Sequence, residues 1–190
     1  WETEKEWMSF TPGIVNAINL AVMGLTNEGD EIIVQPPVYH PFFYAINNHG
    51  RTLVQNPLID TDEGYVMDYD LLEEQAKTAK MLILSNPHNP VGRSWKKEEL
   101  LRLGEICLKN NVLVFSDEIH CDLVMPGFRH TPFASISEEF AHNSITAHAA
   151  SKTFNLAGMA TSTVIIPDDI LRKKYVDFVH FMPFSSYLHC

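Results

Sequence analysis

Apolar residues occur along this chain in two different spacings. After the turn formed by Thr11, Pro12 and Gly13, apolar positions recur every three or four residues as far as Leu25, which indicates one face of an α-helix. Other segments are apolar at nearly every position, which is typical of strands buried on both faces. These patterns predict helices over 14–25, 39–48, 71–77 and 94–110, and strands over 31–34, 51–58, 80–85, 112–116, 144–149 and 161–166.

The order of these elements predicts how the sheet is built. Fully apolar strands that alternate with helices indicate a parallel or mixed sheet covered by helices on both faces. In open sheets of this type, chemistry occurs at the carboxyl ends of the strands. Asn89, Asp117 and Lys152 each follow a predicted strand, and so all three are candidates for a single site. The first residues of the chain are also predicted to be helical.

Charge and composition restrict the function classes. The 190 residues carry a formal net charge of −10, which argues against nucleic acid as the main partner. No apolar run reaches the roughly 18 residues that a membrane helix needs. The three cysteines, Cys107, Cys121 and Cys190, form no C-x-x-C pair, which argues against a disulfide framework or structural zinc. A reduced cytoplasm is therefore the expected compartment.

Three polar motifs follow the predicted strands. They are NPHNPVG at 86–92, SDEIH at 116–120 and ASKTFN at 150–155. Chemistry that uses pyridoxal 5′-phosphate (PLP) needs a lysine for an imine and an acid that keeps the pyridine nitrogen protonated. It also needs a donor for the ring phenolate, a side chain that covers the ring, and donors for the phosphate. The chain offers a candidate for each of these needs.

In this combination, from about Trp7 to Lys174, the chain resembles the fold-type I PLP enzymes, the aspartate aminotransferase superfamily. PVYHPF at 37–42, DEIHCD at 117–122 and SKTFNLAG at 151–158 are similar to its cystathionine β-lyase branch, the MalY/PatB-like C–S lyases. The resemblance implies an α/β fold, a three-layer α/β/α sandwich with a mostly parallel mixed sheet. It also implies that PLP is the cofactor.

The resemblance implies a role for each matching residue. Lys152 would form the Schiff base and move the α-proton of the substrate, Asp117 would pair with the pyridinium nitrogen, and Asn89 would hydrogen-bond the phenolate. Tyr39 would stack on the ring. His120 lies just beyond Asp117 and would support the site without direct contact to the ring. The phosphate would be contacted by Ser151 and by backbone N–H groups near Gly13, Ile14 and Val15.

The chain departs from the wider aminotransferase pattern at two positions beside these motifs. Ala149 stands where many relatives carry a phosphate-binding Ser or Thr, and Met159 follows Gly158 where many aminotransferases carry an Arg. C–S lyases also tend to lack that Arg, so its absence favours the lyase branch.

We interpret residues 1–190 as an incomplete PLP-binding large domain, without its N-terminal segment and C-terminal small domain. The resemblance implies that the small domain supplies an Arg for the substrate carboxylate. None of the five arginines lies in such a region: Arg51, Arg93, Arg102, Arg129 and Arg172. We therefore expect this chain alone to bind PLP poorly and to be inactive.

Each candidate also has an ordinary structural interpretation. A lysine after a strand is usually a solvated surface residue, and an Asp-Glu pair can form a turn or cap a helix. Asn89 can be a turn residue, and Tyr39 can pack in the core. The histidines and Cys121 match no H-E-x-x-H or C-x-x-C spacing, so no metal site is predicted. Nucleotide-binding glycine loops and G-x-S-x-G are absent from the sequence.

The expected reaction is α,β-elimination on cystathionine or a cysteine-like amino acid, which gives pyruvate, ammonia and a thiol. A class I/II aminotransferase built on the same residues is the nearest alternative. A non-catalytic PLP-fold regulatory module is a second alternative, which a basic helix-turn-helix segment would favour. The resemblance further implies a homodimer in the full-length protein, an amino-acid substrate and a role in amino-acid metabolism.

Overall fold

A seven-stranded sheet forms the centre of the molecule, and the computed structural model describes residues 1–182. The strands, β1 to β9 in chain order, are Met8–Thr11, Glu31–Val34, Thr52–Gln55, Ile59–Thr61, Gly64–Val66, Met81–Ser85, Leu113–Asp117, Ser144–His148 and Ser162–Ile165. The order across the large sheet is β1-β9-β8-β7-β6-β2-β3, while β4 and β5 form a separate two-stranded hairpin.

The direction of the strands confirms the mostly parallel mixed sheet. Strands β3, β2, β6, β7 and β8 are parallel to one another. At the other edge, β9 is antiparallel to β8, and β1 is antiparallel to β9. The carboxyl ends of β6, β7 and β8 therefore lie side by side in the middle of the sheet.

Helices cover both faces of the sheet. In chain order, α1 to α7 are Ile14–Leu25, Pro41–Asn47, Tyr69–Ala76, Lys97–Lys109, Glu138–His142, Ala150–Thr153 and Asp169–Phe181. Helices α1, α2 and α7 share one buried apolar cluster with Ile83, whereas α3, α4 and α5 share another with Leu82 and Leu84. Successive residues of β6 thus face opposite layers, and this explains why the central strands are apolar throughout.

The structure corrects some of the predicted boundaries. The first residues form only a 3₁₀ turn, Lys5–Trp7, followed by β1, so the prediction of a helix there is wrong. Helix α4 begins at Lys97 rather than Ser94, because the Glu99 carboxylate accepts the backbone N–H of Lys96. The hairpin β4–β5 and helices α5 and α7 were not predicted. The chain terminus with Cys190 lies outside the described residues.

Within residues 1–182, no helix is both long enough and apolar enough to cross a bilayer.

Candidate active site

A cavity of about 250 Å³ lies at the carboxyl edge of the central strands. All nine residues that the sequence singled out line this cavity, although they come from five separate segments: Gly13, Ile14, Val15, Tyr39, Asn89, Asp117, His120, Ser151 and Lys152. Sequence reasoning missed four further lining residues: Ile119, Ala157, Ala160 and Thr161. The structure thus brings the predicted residues together, and their individual roles stay predictions.

Asp117 is the last residue of β7 and supplies a buried carboxyl group to the cavity. Its side chain is 6% exposed and accepts one hydrogen bond, from the backbone N–H of Ile119 at 3.2 Å. Burial, reinforced by the nearby Glu118, raises the pKa of Asp117 to about 7, although the hydrogen bond and Lys152 act in the opposite direction. A carboxyl group so poorly solvated gains from a cationic partner such as a ring N–H⁺.

The segment that carries Asn89 is fixed to the ends of β6 and β7. Ser85 Oγ accepts the backbone N–H of Asn89 at 3.0 Å, and the Asp117 carbonyl accepts the backbone N–H of Asn86 at 2.9 Å. Below this segment lies the fully buried Trp95, whose indole N–H donates to the Ser85 carbonyl at 3.0 Å. The amide of Asn89 is therefore presented to the cavity from a well-supported turn.

Tyr39 and His120 complete the wall around Asp117. Tyr39 precedes α2 and is 40% exposed, with its ring edge-to-face against Phe42 at a centroid distance of 6.0 Å. His120 lies in the turn after β7, where burial and then the charge of Lys152 lower its pKa. His120 is thus predominantly neutral near pH 7, a form that can both donate and accept a hydrogen bond.

Lys152 and Ser151 come from α6, a four-residue helix directly after β8. The Lys152 side chain is exposed, and none of the residues of α6 is buried. The hydroxyl of the adjacent Thr153 donates to Asp122 Oδ2 at 2.8 Å, which connects α6 with the segment that follows β7. The lysine amine is therefore solvated and accessible at the mouth of the cavity.

The N-terminus of α1 forms the opposite wall. Gly13 precedes this helix with φ of 94°, a backbone conformation that favours glycine. Helix α1 has 12 residues and no side-chain cap, so its first N–H groups, at Ile14 and Val15, lack intrahelical acceptors. Free N–H groups at a helix N-terminus attract an anion such as phosphate.

A second cavity of about 450 Å³ adjoins the first, and Asn89 and His120 line both. Its other walls are the rest of the 87–94 segment, the β4–β5 hairpin, and a segment with three exposed apolar side chains, Leu123, Met125 and Phe128. No sequence motif indicates this cavity, because its walls meet only through the tertiary fold.

Cys121, Asp122 and His148 have ligand atoms within 4.8 Å of one another. Burial, followed by the charge of Asp122, raises the pKa of the Cys121 thiol to about 11. The Asp122 carboxylate is exposed and already accepts the Thr153 hydroxyl, and exposed acidic groups commonly lie close together without a metal. We assign no metal to this group.

The donors around the first cavity fit PLP. The buried carboxyl group matches the pyridine nitrogen, and the accessible lysine amine matches the aldehyde. The amide matches the phenolate, the aromatic ring matches the ring face, and the helix N-terminus matches the phosphate. No predicted position is occupied by a group of the wrong charge or polarity.

Comparisons with known proteins support this fit. Cystathionine beta-lyase PatB of Bacillus subtilis (strain 168) is 48% identical over 177 residues, which are 92% of this chain and 46% of the relative. Cystalysin of Treponema denticola, whose crystal structure contains a pyridoxal 5′-phosphate cofactor, superimposes with a TM-score of 0.93 at 43% identity, over 95% of this chain and 46% of that one.

An aminotransferase is also similar in structure. N-succinyldiaminopimelate aminotransferase of Mycobacterium tuberculosis superimposes with a TM-score of 0.90 at 28% identity, over 97% of this chain and 48% of that one. The chain spans about half the length of the curated relatives it matches. The family of class I and II aminotransferases matches residues 2–189, and the chain belongs to that family.

Proposed function

We propose that the protein containing this chain is a PLP-dependent carbon–sulfur β-lyase that acts on cystathionine or cysteine-like amino acids. The observation that carries the proposal is the pairing of the buried Asp117 carboxyl with the accessible Lys152 amine in one cavity that also contains a helix N-terminus. The 48% identity to a cystathionine beta-lyase supports the lyase assignment within the family.

Asp117 and Lys152 would move or hold the protons of the reaction. When bound, PLP supplies an electron sink that stabilises negative charge at the substrate α-carbon. The Asp117 carboxylate would keep a proton on the ring nitrogen, because a carboxylate buried away from water is stabilised by a cationic partner. The Lys152 amine would hold the cofactor covalently before substrate arrives, and would then remove the α-proton of the substrate.

The remaining residues would orient the cofactor. The Asn89 amide would donate to the ring oxygen, and Tyr39 would cover one face of the ring. His120 lies in the turn after Asp117 and lines both cavities, and it would support the cofactor site from beyond that carboxyl group. The phosphate would be held by the N–H groups of Ile14 and Val15 and by the Ser151 hydroxyl.

The proposal extends to the rest of the protein. Residues 1–190 would form the large cofactor domain of a longer chain, which agrees with the 46% coverage of the curated relative. That chain would act as a cytoplasmic homodimer on an amino-acid substrate, with a further domain that supplies the Arg for the substrate carboxylate.

Aminotransfer is the second candidate function, favoured by the structural match to an aminotransferase. It requires the same Asp117 and Lys152 but a different fate of the α-carbon charge: elimination expels the β-sulfur, whereas transamination returns a proton to the cofactor. A measurement that separates these products therefore decides between the two.

The test supplies the complete protein with PLP and L-cystathionine, without a keto acid, and follows pyruvate. Wild type is expected to form pyruvate, and Lys152→Ala to lose at least about 10³-fold of that rate, because the covalent step and proton transfer are removed together. Lys97→Ala, an exposed lysine at the start of α4, is the control. If pyruvate does not form and an added keto acid yields a new amino acid, the protein is an aminotransferase.

A further inference from the structure

Glu118 is a buried acid next to Asp117 that the proposed chemistry does not use. It is 3% exposed, and its carboxylate accepts from three groups: the Ser116 hydroxyl at 2.9 Å, the Phe133 backbone N–H at 2.9 Å, and Nε2 of His130 at 2.9 Å. A carboxylate accepts only, so the His130 ring must donate from Nε2. A buried carboxylate with three such donors is a rigid anchor.

Two of these donors hold the far end of one loop, residues 120–132. His130 lies in the loop, and Phe133 follows it directly. The same end is held a second time, because the Asn86 amide donates to the Thr131 carbonyl at 3.0 Å. Between its ends the backbone hydrogen bonds of the loop are short-range turn bonds, such as Leu123 N–H to the His120 carbonyl, and its apolar side chains at Leu123, Met125 and Phe128 are exposed. Its placement therefore depends on the anchor.

The near end of the 120–132 loop reaches the candidate active site at two points. His120 lines both cavities, and Asp122 accepts the hydroxyl of Thr153, the neighbour of Lys152. A displacement of the loop would thus move one wall of the cofactor cavity and release the side-chain contact that holds α6.

We propose that Glu118 is a positioning residue, which clamps the 120–132 loop through His130 and Phe133 and thereby holds His120 and the Lys152 helix in place around the cofactor. This inference rests on the proposed cofactor site, but the clamp itself is a property of the chain without cofactor. It acts through other residues and touches neither PLP nor substrate.

The first test measures hydrogen exchange of the complete protein without bound cofactor. Glu118→Gln keeps the size and one acceptor oxygen but places an NH₂ group opposite the His130 donor. We expect backbone exchange of 120–132 and of Ala150–Thr153 to accelerate at least about tenfold, the factor for loss of one hydrogen bond to a charged group, while Lys97–Lys109 stays at the wild-type rate. Glu105→Gln, an exposed acid on α4, is the matched control.

A second test uses the PLP-loaded complete protein. Glu118→Gln is expected to release PLP at least about tenfold faster than wild type, measured by loss of the visible cofactor absorbance after dilution. His130→Leu removes the same contact from the other side and should give the same result, so the test stands even if one variant fails to fold. Replacing both residues should cost less than the sum of the two single changes, because the Glu118–His130 contact is common to both.

The results separate this inference from the proposed function. Exchange that stays at wild-type rates, or that rises equally over the whole chain, overturns the clamp. Local exchange without faster PLP release overturns the positioning role. Failure of the proposed function is visible in the wild-type protein itself, as absence of bound PLP or of pyruvate, whereas the exchange pattern of Glu118→Gln does not depend on either.

Discussion

The two halves of the candidate active site are built in opposite ways. The acid half, residues 85–90 with Asp117 and Glu118, is fixed by buried hydrogen bonds at the ends of β6 and β7. The lysine half, residues 150–160, has no buried residue, and it exposes Phe154, Leu156 and Met159. The Thr153 hydroxyl of this half donates to the Asp122 carboxylate, which belongs to the segment after β7.

This difference reflects what each half must do. Burial raises the pKa of an acid most when water is excluded and the surroundings cannot relax, and a rigid sheet edge provides both conditions. A lysine that must reach both cofactor and substrate needs an accessible amine and some freedom to move. Substitutions in the two halves should therefore differ in their cost to the free energy of unfolding.

The largest effect is expected under the acid half, at Trp95. This side chain is fully buried, donates to the Ser85 carbonyl and lies edge-to-face against His88 with a centroid distance of 5.7 Å. Trp95→Ala should lower the free energy of unfolding by about 3–5 kcal/mol, because it leaves a large cavity. Urea unfolding measures this value, and a loss below about 1 kcal/mol would mean that the acid half is not rigidly supported.

The next effect concerns the burial of Asp117 itself. Since burial raises its pKa from 3.8 to about 7, its stabilising contribution is fully present below pH 3.8 and is lost as the pH rises through about 7. An Asn side chain does not ionise, so Asp117→Asn does not lose unfolding free energy at this position as the pH rises. Without cofactor, the unfolding free energy of the variant relative to wild type should therefore increase by about 2–3 kcal/mol between pH 5 and pH 8.

Urea unfolding at both pH values, with Asp60→Asn in an exposed strand as control, tests this pH dependence. A difference that does not change with pH would show that Asp117 is solvated, and the contrast between the two halves would then disappear.

A smaller effect is expected where the two halves meet, at Thr153. Thr153→Val removes the donor to Asp122 but keeps the shape of the side chain. We expect a loss of at most about 1 kcal/mol in unfolding free energy, because the contact is exposed. Trapping of the PLP–Lys152 adduct with borohydride, followed by mass spectrometry, should nevertheless show slower adduct formation. An unchanged rate would mean that α6 is positioned without this contact.

The smallest effect is expected in the lysine half, at Phe154, which is 67% exposed. Phe154→Ala should change the unfolding free energy of this chain by less than about 0.5 kcal/mol, as is usual for surface positions. The unfolding free energies of Phe154→Ala and Trp95→Ala compare the same kind of change, loss of an aromatic ring, in the two halves. A cost above about 2 kcal/mol would show that the lysine half is packed as firmly as the acid half.

Much of the fold could be predicted from local pattern. Fully apolar strands such as 80–85 and 112–116 need a covering on both faces, so their pattern alone indicates a sheet with two helical layers. Strand β1 could not be found in this way, because its four residues have no repeated pattern and depend on pairing with β9 across most of the chain. The 2.6 Å contact of Thr11 Oγ1 with Ser162 Oγ lies in that pairing.

The site divides in the same manner. Asp117 ends a strand, Asn89 and Lys152 lie shortly after one, and all three belong to motifs, so the sequence predicted them together with the chemistry they suit. The sequence shows Glu118 only as one residue of the SDEIH motif. Its role depends on hydrogen bonds from His130 and Phe133, which come close only because the loop folds back. Where no sequence motif indicates the role of a side chain, only its contacts in the folded structure can do so.

The sequence by itself determined the family-specific residues, their order and the strands whose ends carry them, because strand and helix periodicity and motif spacing are local properties. Only the tertiary structure decided that all nine residues share one cavity, that Asp117 is buried enough for its pKa to reach about 7, and that Glu118 anchors a loop. Burial and distance depend on which segments meet in space, and that is settled by the packing of the whole sheet and its two helical layers.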